Sequence, residues 1–125
     1  MRCMKGIISR NITTFYNNFE FPNFLVFVID NIDVKTLKDN IKTIKGLFND
    51  ILVLDSNEYE LVAYYLMPFD NHFVVIFKSQ LSVDMIKNEK WYLFDYFHDV
   101  IFEIIGDLDK VLKDFGIRAV IYKKN

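Results

Sequence analysis

The sequence predicts an α+β fold: a two-layer sandwich, with a mainly antiparallel sheet of five to six strands and helices at about 33–48 and 83–115. Three observations lead to it. Apolar residues recur at three- and four-residue steps over 34–48, the spacing of one helical face. Short runs of β-branched and aromatic residues at 24–29, 51–54, 59–66, 72–78 and 117–122 are divided by turn-forming residues. The chain has 125 residues, 52% of them hydrophobic, with no repeat, linker or low-complexity tract, which predicts a single domain over 1–125 with one core.

Taken in order, residues 5–20 carry two patterns. Ile8, Ile12, Phe15 and Phe19 fit helical spacing, whereas Ile7-Ile8 and Ile12-Thr13-Thr14 are β-branched and favour a strand, the preferred reading. Asn17-Asn18 and Pro22-Asn23 read as turns. Phe24 to Ile29 is apolar throughout and stops at Asp30-Asn31, as expected of a strand inside the sheet. Asp33 caps the first helix, whose apolar face is Val34, Leu37, Ile41, Ile44 and Phe48, and Asn49 suits a left-handed stop. The runs 51–54, 59–66 and 72–78 are separated by Asp55-Ser56-Asn57 and by Pro68 to Asn71, short breaks that predict a meander. Ser82 is the expected cap of the second helix, with an apolar face of Leu93, Phe97, Ile101, Ile104, Leu108, Leu112 and Phe115. Gly106-Asp107 marks a kink in it or a split into two helices, Gly116 its end, and 117–122 a closing strand.

Composition narrows the function classes. Fifteen basic against seventeen acidic residues give a net charge of −2, without the basic excess usual for nucleic-acid binding. Cys3 is the lone cysteine and His72 and His98 the two histidines, too few for a disulfide scaffold or a four-ligand zinc cluster. The first six residues have no apolar run behind them, and the longest such run, Phe24 to Ile29, is far too short for a membrane span. A cytoplasmic protein without cofactor is expected. Aromatics reach 17%, with thirteen Phe, seven Tyr and one Trp. Ala occurs only at 63 and 119 while Ile, Asn, Lys, Phe and Tyr abound, so AT-rich codon usage explains part of that excess. Core filling explains more: Phe24, Phe27, Phe73, Phe77, Phe97 and Phe115 fall on expected buried positions.

The element order 24–29, 33–48, 51–54, 59–66, 72–78 and 83–115 resembles that of roadblock and longin-type (profilin-like) domains. That resemblance implies a protein-interaction module, often dimeric and often working with small GTPases, with no catalytic motif. The order 24–29, 33–48, 59–66, 72–78, 83–115 and 117–122 is similar to ferredoxin-like domains, a fold with many functions.

Four groups of residues are candidates for function. Trp91, Tyr92, Phe94, Tyr96 and Phe102 lie off the main face of the second helix and suggest either contact with a protein partner or a second copy, or cover within the chain by the N-terminal segment with Phe15, Phe19 and Phe21. Lys35, Lys38, Lys42 and Lys45 fall within about 80° on the first helix and could meet an anion, nucleic acid or an acidic partner. Their plainer explanation is a solvated flank whose stems cover apolar neighbours. Asp95, His98, Asp99 and Glu103 share one side of the second helix and could hold a divalent metal, or form an acidic face complementary to the lysines. Asp30 ends a buried strand, but Ile32 stands where a magnesium site would place a second carboxylate. No phosphate-binding glycine loop or nucleophile elbow is present. The expected function is a non-enzymatic regulatory or scaffolding module, homodimeric. The alternatives are a ferredoxin-like binder of nucleic acid or an anionic ligand using the lysines, and a metal-dependent enzyme using the acidic face.

Overall fold

The final strand of the chain lies at the centre of the sheet. In the computed structural model, which describes residues 12–15, 21–69, 72–83 and 86–125, eight strands form one sheet. They are β1 (Ile12–Phe15), β2 (Phe24–Ile29), β3 (Ile51–Leu54), β4 (Asn57–Phe69), β5 (His72–Val83), β6 (Ile86–Asp95), β7 (Val100–Ile104) and β8 (Gly116–Lys124). Among the described residues three short helices accompany them: α1 (Val34–Asp39), α2 (Ile41–Leu47) and α3 (Leu108–Leu112). The strand order is β1-β2-β8-β4-β5-β6-β7, with β3 paired to the start of β4, and every pairing is antiparallel. The α+β class and the antiparallel sheet are as expected, with more strands and less helix. Among the described residues no helix is long and apolar enough to cross a membrane.

β4 is 13 residues long and serves two partners along one edge: Asn57 to Glu60 pair with β3, and pairing with β5 begins at Ala63. Between Leu61 and Ala63 its register with β8 shifts. This irregularity changes which side chains are buried beneath the helices, from Tyr59 and Leu61 to Tyr64 and Leu66. α1 and α2 lie over β8, and α1 also reaches β4. Leu37, Ile44 and Leu112 join Leu25, Ile29, Ile76, Val120 and Tyr122 in one core. Two buried tyrosines satisfy their hydroxyls locally: Tyr59 donates to the Pro22 carbonyl at 2.7 Å and Tyr122 to that of Asn49 at 2.6 Å. α1 approaches β8 closely at Gly116, where an added Cβ would stand 2.9 Å from Leu37 Cβ.

The first helix starts where expected. Asp33 accepts from Thr36 N–H at 2.7 Å, and hydrogen bonding from Thr36 holds its carboxyl below the ordinary range. The expected single helix over 33–48 is instead two, because the Asn40 side-chain amide takes the Thr36 carbonyl at 2.8 Å and its backbone leaves helical geometry. Asn49 is not left-handed, since the positive φ values outside glycine belong to Asn31, Asp55, Ser56 and Asp99 among the described residues.

The expected helix at 83–115 is the main correction. Ser82 is inside β5, residues 86–95 and 100–104 are strands, and helix is confined to Leu108–Leu112. Trp91-Tyr92-Leu93-Phe94 and Val100-Ile101-Phe102 are aromatic and β-branched, and pairing along the whole of β5 outweighs their helix-compatible spacing. Gly106, at φ +99°, turns the chain between β7 and α3 rather than kinking a helix. The segment at 5–20 contributes strand at Ile12–Phe15. Cys3, Ile8, Asn17-Asn18 and Phe19 lie outside the described residues.

Candidate protein-interaction surface

Among the described residues, six of the eleven exposed large hydrophobic side chains lie between Tyr96 and Ile105, in β7 and the segments that flank it. The turn at 96–99 is built on Asp95. Its carboxylate accepts from the backbone N–H groups of Phe97 (3.1 Å) and His98 (3.4 Å), and Asp99 takes a positive φ that Asp tolerates. The same carboxylate lies 3.1 Å from His72 Nε2, at the start of β5, and 4.0 Å from His98 Nε2. Phe97 stacks on His72 with ring centroids 5.3 Å apart. Asp95 thus ties β5, β6 and the turn together and sets where β7 begins.

Pairing fixes the faces of this hairpin. Leu93 is opposite both Ile76 and Phe102, so Phe102 projects on the side that bears the helices. Ile101 is opposite Phe94 and projects on the other side with Tyr92 and Phe77. α1 and α2 pack over β8, and α1 over β4, at least three strands away from β7 in the strand order. Phe102 therefore remains 51% exposed, and Ile101 61%. Val100, Ile105 and, in the turn, Tyr96 and Phe97 are exposed as well. The far side of the sheet carries aromatic contacts: Tyr65–Phe73 at 5.2 Å, Phe77–Tyr92 at 5.7 Å and Phe94–Tyr96 at 6.4 Å.

The expected interface residues therefore divide. Tyr96 and Phe102 are exposed. Tyr92 and Phe94 are half-buried on the far face, and Trp91 is half-buried on the helix side, 5.8 Å from the Tyr64 ring with the Lys78 ammonium 5.7 Å from its centroid. Lys78 is held between Glu60 (2.5 Å) and Glu89 (3.8 Å). Phe97 and Ile101, expected in the core, are exposed, and so are Phe24 and Phe73. The sequence signal that could have found the hairpin is the pair of short aromatic and β-branched runs at 91–94 and 100–102, divided by the turn-forming Asp95 and His98-Asp99.

The acidic group does not assemble as expected. Asp95 binds His72 and its own turn, while Glu103 lies 3.6 Å from Lys90 on the neighbouring strand. No group of three His, Cys, Asp or Glu among the described residues could hold a metal ion. The helical face shared by Asp95, His98, Asp99 and Glu103 does not exist, because a hairpin carries them. The lysines are split as well: Lys35 and Lys38 belong to α1, Lys42 and Lys45 to α2, and Lys45 pairs with Asp109. An open groove of about 800 Å³ is lined by Phe24, Phe77, Ile121, Lys78 and Lys123, with Glu60 beside them.

No protein-family model, curated protein or solved structure matches the chain.

Proposed function

We propose that the protein is a non-enzymatic protein-interaction module of regulatory or scaffolding type, which works by self-association through the β6–β7 end of its sheet. One observation carries the reading: β7, the terminal strand among the described residues, exposes apolar side chains on both faces, Val100 and Phe102 on one and Ile101 on the other. Exposed apolar surface of this kind marks a contact rather than a solvated rim. Exposed aromatics at Tyr96, Phe97 and Phe102 supply the residue type that anchors interfaces. Nothing about this surface needs a metal or cofactor. Light scattering coupled to size exclusion tests it over a concentration series. The expected mass rises from 14.9 kDa towards twice that value. A mass that stays at 14.9 kDa at the highest reachable concentration refutes self-association.

A further inference from the structure

We infer that two copies of the chain join edge to edge through β7, antiparallel, about a two-fold axis passing beside Phe102, so that the sheet continues from one copy into the other. This rests on the self-association reading and specifies its geometry.

Among the described residues β7 closes the strand order and pairs on one side only, with β6. That pairing runs from Trp91↔Ile104 to Asp95↔Val100 without a register shift, so the edge carries no bulge to turn it away. Edge strands are normally protected by Lys, Pro, bulges or inward charges. Residues 100–105 contain neither Lys nor Pro. Their one charge, Glu103, is met by Lys90 within the same copy. The exposed portions of Tyr96, Phe97 and Phe102 amount to on the order of 400 Å². That is about half of the ~800 Å² per partner that a standard interface buries. Val100, Ile101 and Ile105 add to it.

Symmetry restricts the register. Successive pairs along an antiparallel ladder alternate between hydrogen-bonded and non-hydrogen-bonded types. A two-fold axis must map each pair onto one of the same type, so one residue has to face its own copy. If Glu103 did so, two carboxylates would oppose each other, and if Ile101 did so, Asp99 would oppose Glu103 of the partner subunit; both arrangements are unfavourable. Phe102 is the midpoint of Val100–Ile104. Centring there pairs all five residues, sets Val100 against the partner's Ile104 and Ile101 against the partner's Glu103, and places no like charges opposite each other.

Charge swapping at the axis tests this directly. Phe102→Lys and Phe102→Asp each place like charges face to face in a homodimer but opposite charges in a mixture. Each variant alone is expected to weaken dimerisation by more than about tenfold, and an equimolar mixture to recover it as a heterodimer. Because Phe102 is half exposed, both variants should keep the wild-type circular dichroism spectrum and melting curve of the monomer. As a second readout, in a Cys3→Ser background, single cysteines at 101, 102 and 103 are oxidised; facing Cα atoms 4.5–5.5 Å apart suit a disulfide. The 102 variant should cross-link fastest. A monomeric wild type overturns both the edge pairing and the self-association reading. A dimeric wild type whose charged variants stay dimeric, fail to recover on mixing, or cross-link best at another position overturns the Phe102-centred edge alone.

Discussion

Replacing Gly116 with alanine puts the packing of α1 on the sheet under a defined load. The new Cβ would lie 2.9 Å from Leu37 Cβ and 3.3 Å from the Val34 carbonyl oxygen. Carbon atoms in good contact stand about 3.5–4.0 Å apart, so α1 has to retreat by roughly 0.6 Å or more. α1 cannot yield cheaply, since its six residues carry Val34 and Leu37, both buried, and Leu37 is part of the main core cluster. Gly116 lies in a strand and does not use the left-handed region, so the penalty is steric. Overpacking of this kind costs about 1–3 kcal/mol. In a chain of 125 residues about 4 °C of melting temperature follows each kcal/mol, so Tm should fall by about 4–12 °C. Gly46 is the control: it is exposed in α2, and a Cβ there meets nothing within 4 Å. Gly46→Ala should raise stability by about 0.5–1 kcal/mol through helix propensity. Thermal melts and urea titrations with an unchanged m-value measure both. A Gly116→Ala variant as stable as wild type, or the two variants shifting the same way, would refute the packing argument.

Two further tests address buried polar groups. Burial, reinforced by Asp50, pushes the Tyr64 hydroxyl from its ordinary value of 10.0 up to about 12, so the fold holds this proton more tightly than the unfolded chain does. The resulting stability is complete below about pH 10 and lost as pH rises towards 12, up to about 3 kcal/mol. Tyr64→Phe should flatten that alkaline loss, and an equally steep decline in both proteins would sink the assignment. The Lys78–Glu60 pair, with side chains 8% and 19% exposed, should show a coupling of more than about 1 kcal/mol in a double-mutant cycle. Lys45–Asp109, with Asp109 64% exposed, should show less than about 1 kcal/mol; equal couplings would count against burial as the cause.

The sequence disclosed the parts of this fold in which local preference and tertiary environment agree. Asp33 caps α1 as its spacing requires, and the run at 51–54 is a strand with the same bounds. The strand at 24–29 lies inside the sheet between β1 and β8, as its unbroken apolar run implies, although Phe24 at its start is exposed. The placement of β8 between β2 and β4 was not legible, since it depends on pairings between residues far apart in the chain. The break at Asn40 was obscured because the apolar residues on either side keep helical spacing; only the side-chain hydrogen bond to Thr36 reveals it.

The error over 83–115 and the candidate interface have one physical origin. A helix or a half-covered strand declares itself by having a polar face. Residues 91–94 and 100–105 have almost none, so apolar positions satisfy a period of two and a period near 3.6 together. Continuous apolar runs belong to strands inside a sheet, and β2, flanked by β1 and β8, has a neighbour on each edge within the chain. β7 has the same composition but ends the sheet, beyond the helices, with Ile101 and Phe102 open on opposite faces. Its sequence is that of an interior strand in an edge position. In the proposed dimer a second copy paired along that edge would supply the neighbour that β2 has within the chain, and the charge-swap at Phe102 examines the same residues whose spacing also fits a helix.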